Sequence, residues 1–187
     1  MKNLAIFASG SGSNAENIIQ YFAQKPDFCV KKIYCNVPDA YVLERAKKYN
    51  VPTVVFNREE LRNPEKIFRQ LKDEETDFII LAGFLWLLPP FITAAYPDRI
   101  INIHPALLPS YGGKGMYGHH VHEAVIAAKE KESGITIHFV NDHYDQGAVI
   151  FQAKCPVLPT DTPDTLAARI HELEYAHFPE VIEKCIN

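Results

Sequence analysis

The alternation of short branched apolar runs with stretches of helical periodicity constrains the fold of this chain more than any other feature. Strands are predicted near Asn3–Ala8, Val30–Cys35, Thr53–Phe56, Phe78–Ala82 and Ile100–Ile103. Helices are predicted between the first four of them, near Ala15–Ala23, Tyr41–Tyr49 and Pro64–Glu74. Strands that alternate with helices are typical of βαβ units and a parallel sheet. The first half therefore predicts a Rossmann-like, doubly wound arrangement.

The pattern changes in the second half of the chain. A glycine-rich loop precedes a predicted helix near Val121–Ala128, two strands near Gly134–Val140 and Ala148–Pro156, and a last helix from about Pro163 to Cys185. Asp161 or Thr162 is expected to cap that helix. No linker-like segment separates the halves, so we expect one α/β domain over residues 1–187, with a mostly parallel sheet and flanking helices.

Composition and charge restrict the class of partner. The net charge is -4 without a run of Lys or Arg, which disfavours a nucleic-acid surface. The longest apolar stretches fall short of the roughly 20 residues that cross a bilayer, and the N-terminus lacks the pattern of a secretion signal. Four scattered cysteines favour reduced thiols. We therefore expect a cytoplasmic protein with small-molecule partners, either a monomer or a weak homodimer.

A glycine-rich loop follows the first predicted strand and opens the first helix. Its residues are Gly10, Ser11, Gly12, Ser13 and Asn14. Backbone amides at such a turn, together with the helix dipole, favour a bound phosphate. With Ala15 the segment also fits the looser dinucleotide pattern G-x-G-x-x-A, but the second strand ends in Cys35-Asn36 instead of an acidic residue. A single phosphate is favoured over a dinucleotide or a purely geometric turn.

Asn102 and His104 end the fifth predicted strand, and strand alternation places both side chains on one face. Ligands of open α/β sheets bind at the carboxyl ends of strands. An amide can stabilise an oxyanion, and a histidine can transfer a proton or, when cationic, stabilise the same oxygen, while Asp145 beside His104 would favour its protonated form. The alternative is that the three residues only cap, pack or turn the chain.

Five segments give the chain a resemblance to a known family, the folate-dependent formyltransferases, and among these to the phosphoribosylglycinamide formyltransferases, over essentially its full length. They are ASGSGSN at 8–14, LAGFLWLL at 81–88, NIHPALLPSY at 102–111, ITIHFVNDHYDQGAVI at 135–150 and HELEYAHFP at 171–179. The resemblance implies formyl transfer from 10-formyltetrahydrofolate to glycinamide ribonucleotide, in purine biosynthesis. It also implies that Asn102, His104 and Asp145 are catalytic and that Gly10–Asn14 holds the substrate phosphate.

The resemblance further implies sites for the two substrates. The folate site comprises Leu85, Trp86, Leu87, Leu88, Asn102, Val140, Asn141 and Asp145, with the side chains of 85–88 expected in the core. Glu174 and His171 are implied on the ribose side of the nucleotide. An arginine after the third strand contacts folate in this family, and either Arg58 or Arg62 fits that place.

The loop at Gly112–His119 is several residues longer than is usual in the family. His119, His120 and His122 follow it, but their spacing lacks an i, i+4 histidine pair and formyl transfer needs no Lewis acid, so no metal is expected.

Three rival functions remain at this stage. A formyltetrahydrofolate hydrolase would use water as the acceptor and usually carries an N-terminal regulatory domain. A tRNA formyltransferase would need a basic surface and a further C-terminal domain. A silent phosphate-binding module would keep the fold without turnover.

Overall fold

The structure is a computed structural model, and it describes residues 1–186. Its strands are β1 (Lys2–Ala8), β2 (Phe28–Cys35), β3 (Thr53–Val55), β4 (Phe78–Leu81), β5 (Ile100–His104), β6 (Glu132–Phe139) and β7 (Val149–Pro156). Its helices are α1 (Ser13–Phe22), α2 (Tyr41–Lys48), α3 (Arg58–Arg62), α4 (Arg69–Asp73), α5 (Pro90–Ala95), α6 (His119–Ala127) and α7 (Pro163–Ile186), with a π-helical turn at Pro64–Phe68.

The strands form a seven-stranded sheet in the order β3-β2-β1-β4-β5-β6-β7. The pairs β1–β2, β1–β4 and β2–β3 are parallel, and β6–β7 is antiparallel. The predicted fold class, a mostly parallel α/β sheet with flanking helices, is thereby confirmed. By chain contacts the protein divides into two compact units, Met1–Ile101 and Asn102–Cys185.

In the first unit, β1 is the central strand because it pairs with β2 on one side and β4 on the other. Residues Leu4 to Ala8 are fully buried. A parallel strand covered on both faces requires such a continuous apolar run, which explains why the sequence alternates weakly here. The polar loop that follows β1 therefore begins at the end of a fully buried strand.

The predicted helix over Pro64–Glu74 is wrong in detail, and two short helices were not predicted. Lys66, with φ -110° and ψ -107°, has a non-helical conformation inside the π-helical turn, so the predicted helix is kinked before α4 begins. A capping box begins α3: the Asn57 side chain accepts from the Glu60 amide, and the Glu60 carboxylate accepts from the Asn57 amide. This N-x-x-E signal could have identified α3.

In the second unit, Thr136 on β6 fixes the segment that leaves β5. Its hydroxyl donates to the Ala106 carbonyl at 2.7 Å and accepts from the Leu108 amide at 3.0 Å. The Gln152 side chain on β7 donates to the same hydroxyl. A fully bonded buried hydroxyl holds the chain just past His104 in one conformation.

The last helix begins as expected at Thr162, whose hydroxyl accepts from the Thr165 amide at 3.3 Å. Asp161 is not the cap. It instead accepts two hydrogen bonds from the Arg169 guanidinium, at 2.7 and 3.0 Å. This pair joins the segment that precedes α7 to the second turn of the helix.

Candidate active site

Asn102 and His104 lie on β5 with one residue between them, as predicted. The His104 side chain is buried, with 3% of its surface exposed, and its Nδ1 lies 3.6 Å from Asp145 Oδ2. Asn102 is half-buried and contacts the same group of side chains through His138. The structure therefore brings the three proposed catalytic residues into one cluster.

The position of Asp145 depends on the loop between β6 and β7. Asp145 has a left-handed backbone conformation, with φ 55°, and its Oδ2 accepts a hydrogen bond from the Gly113 amide at 2.9 Å. A Cβ on the neighbouring Gly112 would lie 2.5 Å from Leu108 Cδ2 and 3.3 Å from Asp145 Cβ. The loop therefore passes close to Asp145, and a side chain at 112 would require the Leu108 side chain to move.

His138 is a fourth member of this cluster that the sequence did not reveal. It lies on β6 with 1% of its surface exposed, and its Nε2 is 3.0 Å from Asn102 Nδ2 and 3.6 Å from Asp145 Oδ1. No sequence signal separated His138 from the core, because a lone histidine in a buried strand resembles a packed core residue. His138 Nε2 thus lies close to both the amide of Asn102 and the carboxylate of Asp145.

The backbone fixes the hydrogen positions on both imidazole rings. His104 Nε2 lies 2.7 Å from the Tyr111 carbonyl and His138 Nδ1 lies 2.7 Å from the Phe139 carbonyl. A carbonyl only accepts, so each of these nitrogens carries a hydrogen. When neutral, His104 therefore presents the Nδ1 lone pair to Asp145, and His138 presents the Nε2 lone pair to Asn102.

Burial opposes charge on His104. It lowers the pKa of His104 below the usual value, although the nearby Asp145 carboxylate and the Tyr111 carbonyl act in the opposite direction. Burial would raise the pKa of Asp145, but His138, His104 and the Gly113 amide together hold it below its usual value. The Asp145 carboxylate therefore acts on the pKa of His104 in the expected direction, but the effect of burial is larger and the net shift is downward.

The glycine-rich loop lies in the first unit and turns tightly into α1. Gly12 is the N-cap of α1 in a left-handed conformation, with φ 73° and ψ 21°. A Cβ at Gly12 would lie 2.7 Å from the Cα of Val42, so α2 packs directly against the loop. Gly10 and Ser11 are exposed. An exposed loop at the start of a helix can accept an anion at its amides.

Ser9 links this loop to the segment implied in folate binding. Its hydroxyl donates to Asn36 Oδ1 at 2.6 Å and accepts from the Leu85 amide at 3.1 Å. Leu88 is buried as expected, but Leu85 and Leu87 are 42% and 38% exposed. The expectation that all four side chains of 85–88 are core is therefore wrong, because this segment is irregular after β4 ends.

Of the two candidate arginines, Arg58 contacts the segment 85–88. Its guanidinium lies 4.8 Å from the centre of the Trp86 ring, and Trp86 packs edge-on against Phe56 at 6.2 Å. Arg62 lies in the last turn of α3 and is exposed. A cation stacked on an aromatic face is held in place, which favours Arg58 as the folate-side arginine.

Glu174 and His171 contact each other on α7 in the second unit. Glu174 is buried, and its Oε2 lies 2.9 Å from His171 Nδ1. This contact raises the pKa of His171 above its usual value. Glu174 also acts electrostatically on His104, so the residues implied on the ribose side lie near the cluster around Asp145 in the same unit.

The long loop before α6 turns at Gly113, Gly115 and Gly118, each with positive φ. Tyr117 packs edge-on against His120, with ring centres 5.5 Å apart. Among residues 1–186, no group of three or more His, Cys, Asp or Glu side chains is arranged to hold a metal ion. Within the same residues, no helix has both the length and the apolar character needed to cross a membrane.

A sequence profile of the family described as formyl transferase matches residues 2–182. The chain belongs to the formyl transferase family. The predicted resemblance is confirmed, and the profile spans all the segments that carried it. Membership makes the cluster around Asp145 the natural candidate for formyl transfer in this family member.

Three relatives illustrate the similarity of this formyl transferase to known proteins. The phosphoribosylglycinamide formyltransferase of Haemophilus influenzae is 38% identical, with 98% of this chain and 86% of that protein covered. A solved structure of that name from Streptococcus pneumoniae has 38% identity and a TM-score of 0.88, with both chains fully covered. The chloroplastic relative from Arabidopsis thaliana is 38% identical over 97% of this chain, which spans 64% of that protein's length.

Proposed function

We propose that this formyl transferase moves the formyl group of 10-formyltetrahydrofolate to the amine of N1-(5-phospho-D-ribosyl)glycinamide, in purine biosynthesis. The products would be formylglycinamide ribonucleotide and tetrahydrofolate. The observation that carries the proposal is the buried cluster in which His104 and Asp145 lie 3.6 Å apart. The names of the similar proteins support the choice of substrates.

The amine nitrogen attacks the formyl carbon and forms a C–N bond, giving a tetrahedral oxyanion. The bond from that carbon to N10 of the folate then breaks, and the proton lost by the amine ends on N10. Asn102 is proposed to donate a hydrogen bond to the oxyanion. No covalent intermediate with the protein is needed.

His104 is proposed to accept the amine proton and deliver it to the leaving nitrogen. Because burial keeps its pKa low, it begins neutral and can act as a base near neutral pH. The cation that forms lies beside the ionised Asp145. Asp145 therefore stabilises His104 in the state that it occupies only during the reaction.

The remaining site residues are proposed to hold the substrates. The Gly10–Asn14 loop would bind the nucleotide phosphate, with Glu174 and His171 on the ribose side. Folate would contact the backbone of 85–88 and the residues Asn102, Val140, Asn141 and Asp145, with Arg58 as the cation. Exposure of Leu85 and Leu87 supports a role for that segment in binding.

We also propose a single domain over 1–187, a monomer or weak homodimer, a cytoplasmic location and chemistry without a metal. The four cysteines, all free thiols in the structure, support a reducing compartment. The net charge of -4 supports small-molecule partners over nucleic acids.

The test is to incubate the protein with 10-formyltetrahydrofolate, with and without glycinamide ribonucleotide, and to follow tetrahydrofolate and the formylated product. Transfer predicts formyl loss only when the nucleotide is present. Release of formate without the nucleotide would indicate a hydrolase, and no turnover in either sample would indicate a silent module. In the His104→Ala variant we expect turnover at saturating substrates to fall roughly a hundredfold or more. Unchanged turnover in a folded variant would remove His104 from the mechanism.

A further inference from the structure

Two groups of α2 bind the backbone of the glycine-rich loop. The Val42 amide donates to the Gly10 carbonyl at 3.1 Å, and Arg45 Nε donates to the Ser11 carbonyl at 2.8 Å. Both carbonyls are therefore directed towards α2. The second bond is made by a side chain, so a single substitution can remove it.

The orientation of these carbonyls determines where the loop amides point. In a planar trans peptide the C=O and N–H bonds point in opposite directions. The peptide that carries the Ser11 carbonyl also carries the Gly12 amide, so Arg45 turns that amide away from α2. Val42 does the same for the Ser11 amide. Arg45 thus fixes a donor that an anion at this loop would use.

Arg45 also compensates a charge that would oppose an anion. Glu16 lies in the first turn of α1, where the helix dipole attracts anions and a free carboxylate would compete with a phosphate. Arg45 Nη1 forms an ion pair with Glu16 Oε2, and the Tyr49 hydroxyl donates to Glu16 Oε1 at 3.2 Å. The Arg45 guanidinium also stacks on the Tyr41 ring at 4.9 Å.

We propose that Arg45 is a positioning residue for phosphate binding, acting through the Ser11 carbonyl and through Glu16 without touching the phosphate. The guanidinium is engaged by Ser11, Glu16 and Tyr41, so its role is to orient the loop and neutralise the carboxylate. This inference rests on the proposed function, because it assigns the nucleotide phosphate to the Gly10–Asn14 loop. It predicts a defect confined to the nucleotide substrate.

The first experiment compares steady-state kinetics of the wild type and Arg45→Met. The KM for glycinamide ribonucleotide should rise about tenfold, as expected for losing a charge-assisted contact, while kcat and the KM for the folate change less than about twofold. Arg69→Met is the matched control, since Arg69 also pairs with a helical glutamate, Glu65, but on an exposed surface. It should change neither KM. An unchanged nucleotide KM in Arg45→Met, or an equal loss in kcat, would overturn the proposal.

A double variant separates loop orientation from charge. Arg45→Met with Glu16→Gln removes the uncompensated carboxylate but leaves the Ser11 carbonyl without its donor, so the nucleotide KM should stay at least about threefold above wild type. Complete recovery would mean that Arg45 acts through charge alone and would refute its positioning role. If Arg45→Met does not fold, Arg45→Lys decides, because one ammonium cannot reproduce the guanidinium geometry. Its nucleotide KM should also rise by at least about threefold.

Calorimetric titration with inorganic phosphate keeps this inference distinct from the proposed function. The dissociation constant for phosphate should rise in Arg45→Met by about the same factor as the nucleotide KM. If the wild type binds phosphate but does not formylate the nucleotide, the proposed function fails while the Arg45 comparison still stands. Equal phosphate affinity in both proteins, or no phosphate binding by the wild type, would overturn the inference.

Discussion

Replacement of His122 should make the folded protein less sensitive to acid. His122 on α6 has 3% of its surface exposed, and its Nδ1 has no hydrogen-bond partner among residues 1–186. Burial, and after it the neighbouring His171, lower the pKa of His122 from 6.5 to about 4. His122 therefore binds a proton less readily in the folded protein than in the unfolded chain. The stability that neutral His122 contributes is present above the pKa of the unfolded chain and is lost as the pH falls from that value through the pKa of the folded protein.

The size of the effect follows from the two pKa values. Between pH 7 and pH 5, His122 becomes largely protonated in the unfolded chain but stays neutral in the folded protein. This difference lowers the free energy of unfolding by about 2 kcal/mol. The His122→Gln variant lacks this term. Its unfolding free energy, measured by urea denaturation, should therefore fall by about 2 kcal/mol less over this range than that of the wild type.

The exposed His143 supplies the control for this experiment. His143→Gln should show the same loss of stability between pH 7 and pH 5 as the wild type. His104, whose pKa is also lowered by burial, remains in all three proteins and contributes equally to each to a first approximation. Parallel curves of unfolding free energy against pH for the wild type and His122→Gln would refute the reasoning.

Three further outcomes are expected. Gly12→Ala should lower the free energy of unfolding by about 1–3 kcal/mol in urea denaturation, because the backbone at Gly12 has positive φ and an added Cβ would clash with α2. Asp145→Asn should lower kcat roughly a hundredfold and should also lower the stability at pH 7, because the contacts that hold the pKa of Asp145 below its usual value stabilise the ionised carboxylate in the folded protein; turnover near the wild-type rate would contradict its role. Asp161→Asn should lower stability at pH 7, and this loss should become smaller as the pH falls from about 4 towards 2, because the Arg169 contact holds the pKa of Asp161 below its usual range; a loss that does not change with pH would exclude this.

The sequence predicted the sheet because its strands are buried on both faces and therefore read as apolar runs, as at Leu4–Ala8. The order of elements followed from the same runs. The break at Lys66 was not predictable, because nothing in helical periodicity records a change of hydrogen-bond register. The short α5 was also not predicted, since its six residues, which begin at the second of two prolines, give too little periodicity.

The candidate site was predictable to the extent that strand alternation could group its residues. Asn102 and His104 share a face of β5, and polar residues at a strand end stand out. His138 was hidden because a buried histidine in an apolar strand resembles core. The lowered pKa of His104 could not be predicted either, because burial causes it and outweighs the opposite effect of the neighbouring Asp145 carboxylate.

The cluster around Asp145 is arranged so that a proton can be held at only a few places. His104 and His138 each use one N–H on a backbone carbonyl, of Tyr111 and Phe139, and those bonds do not depend on the charge of either ring. Any additional proton on His104 must therefore lie on Nδ1, facing the Asp145 carboxylate at 3.6 Å. Burial disfavours the protonated form of His104 in the resting protein, whereas the Asp145 carboxylate stabilises that form once a reaction supplies the proton. In the proposed mechanism, His104 is therefore a base that is neutral at rest and stabilised only after it is protonated, and such a base favours the transition state over the free protein, which is the condition for catalysis.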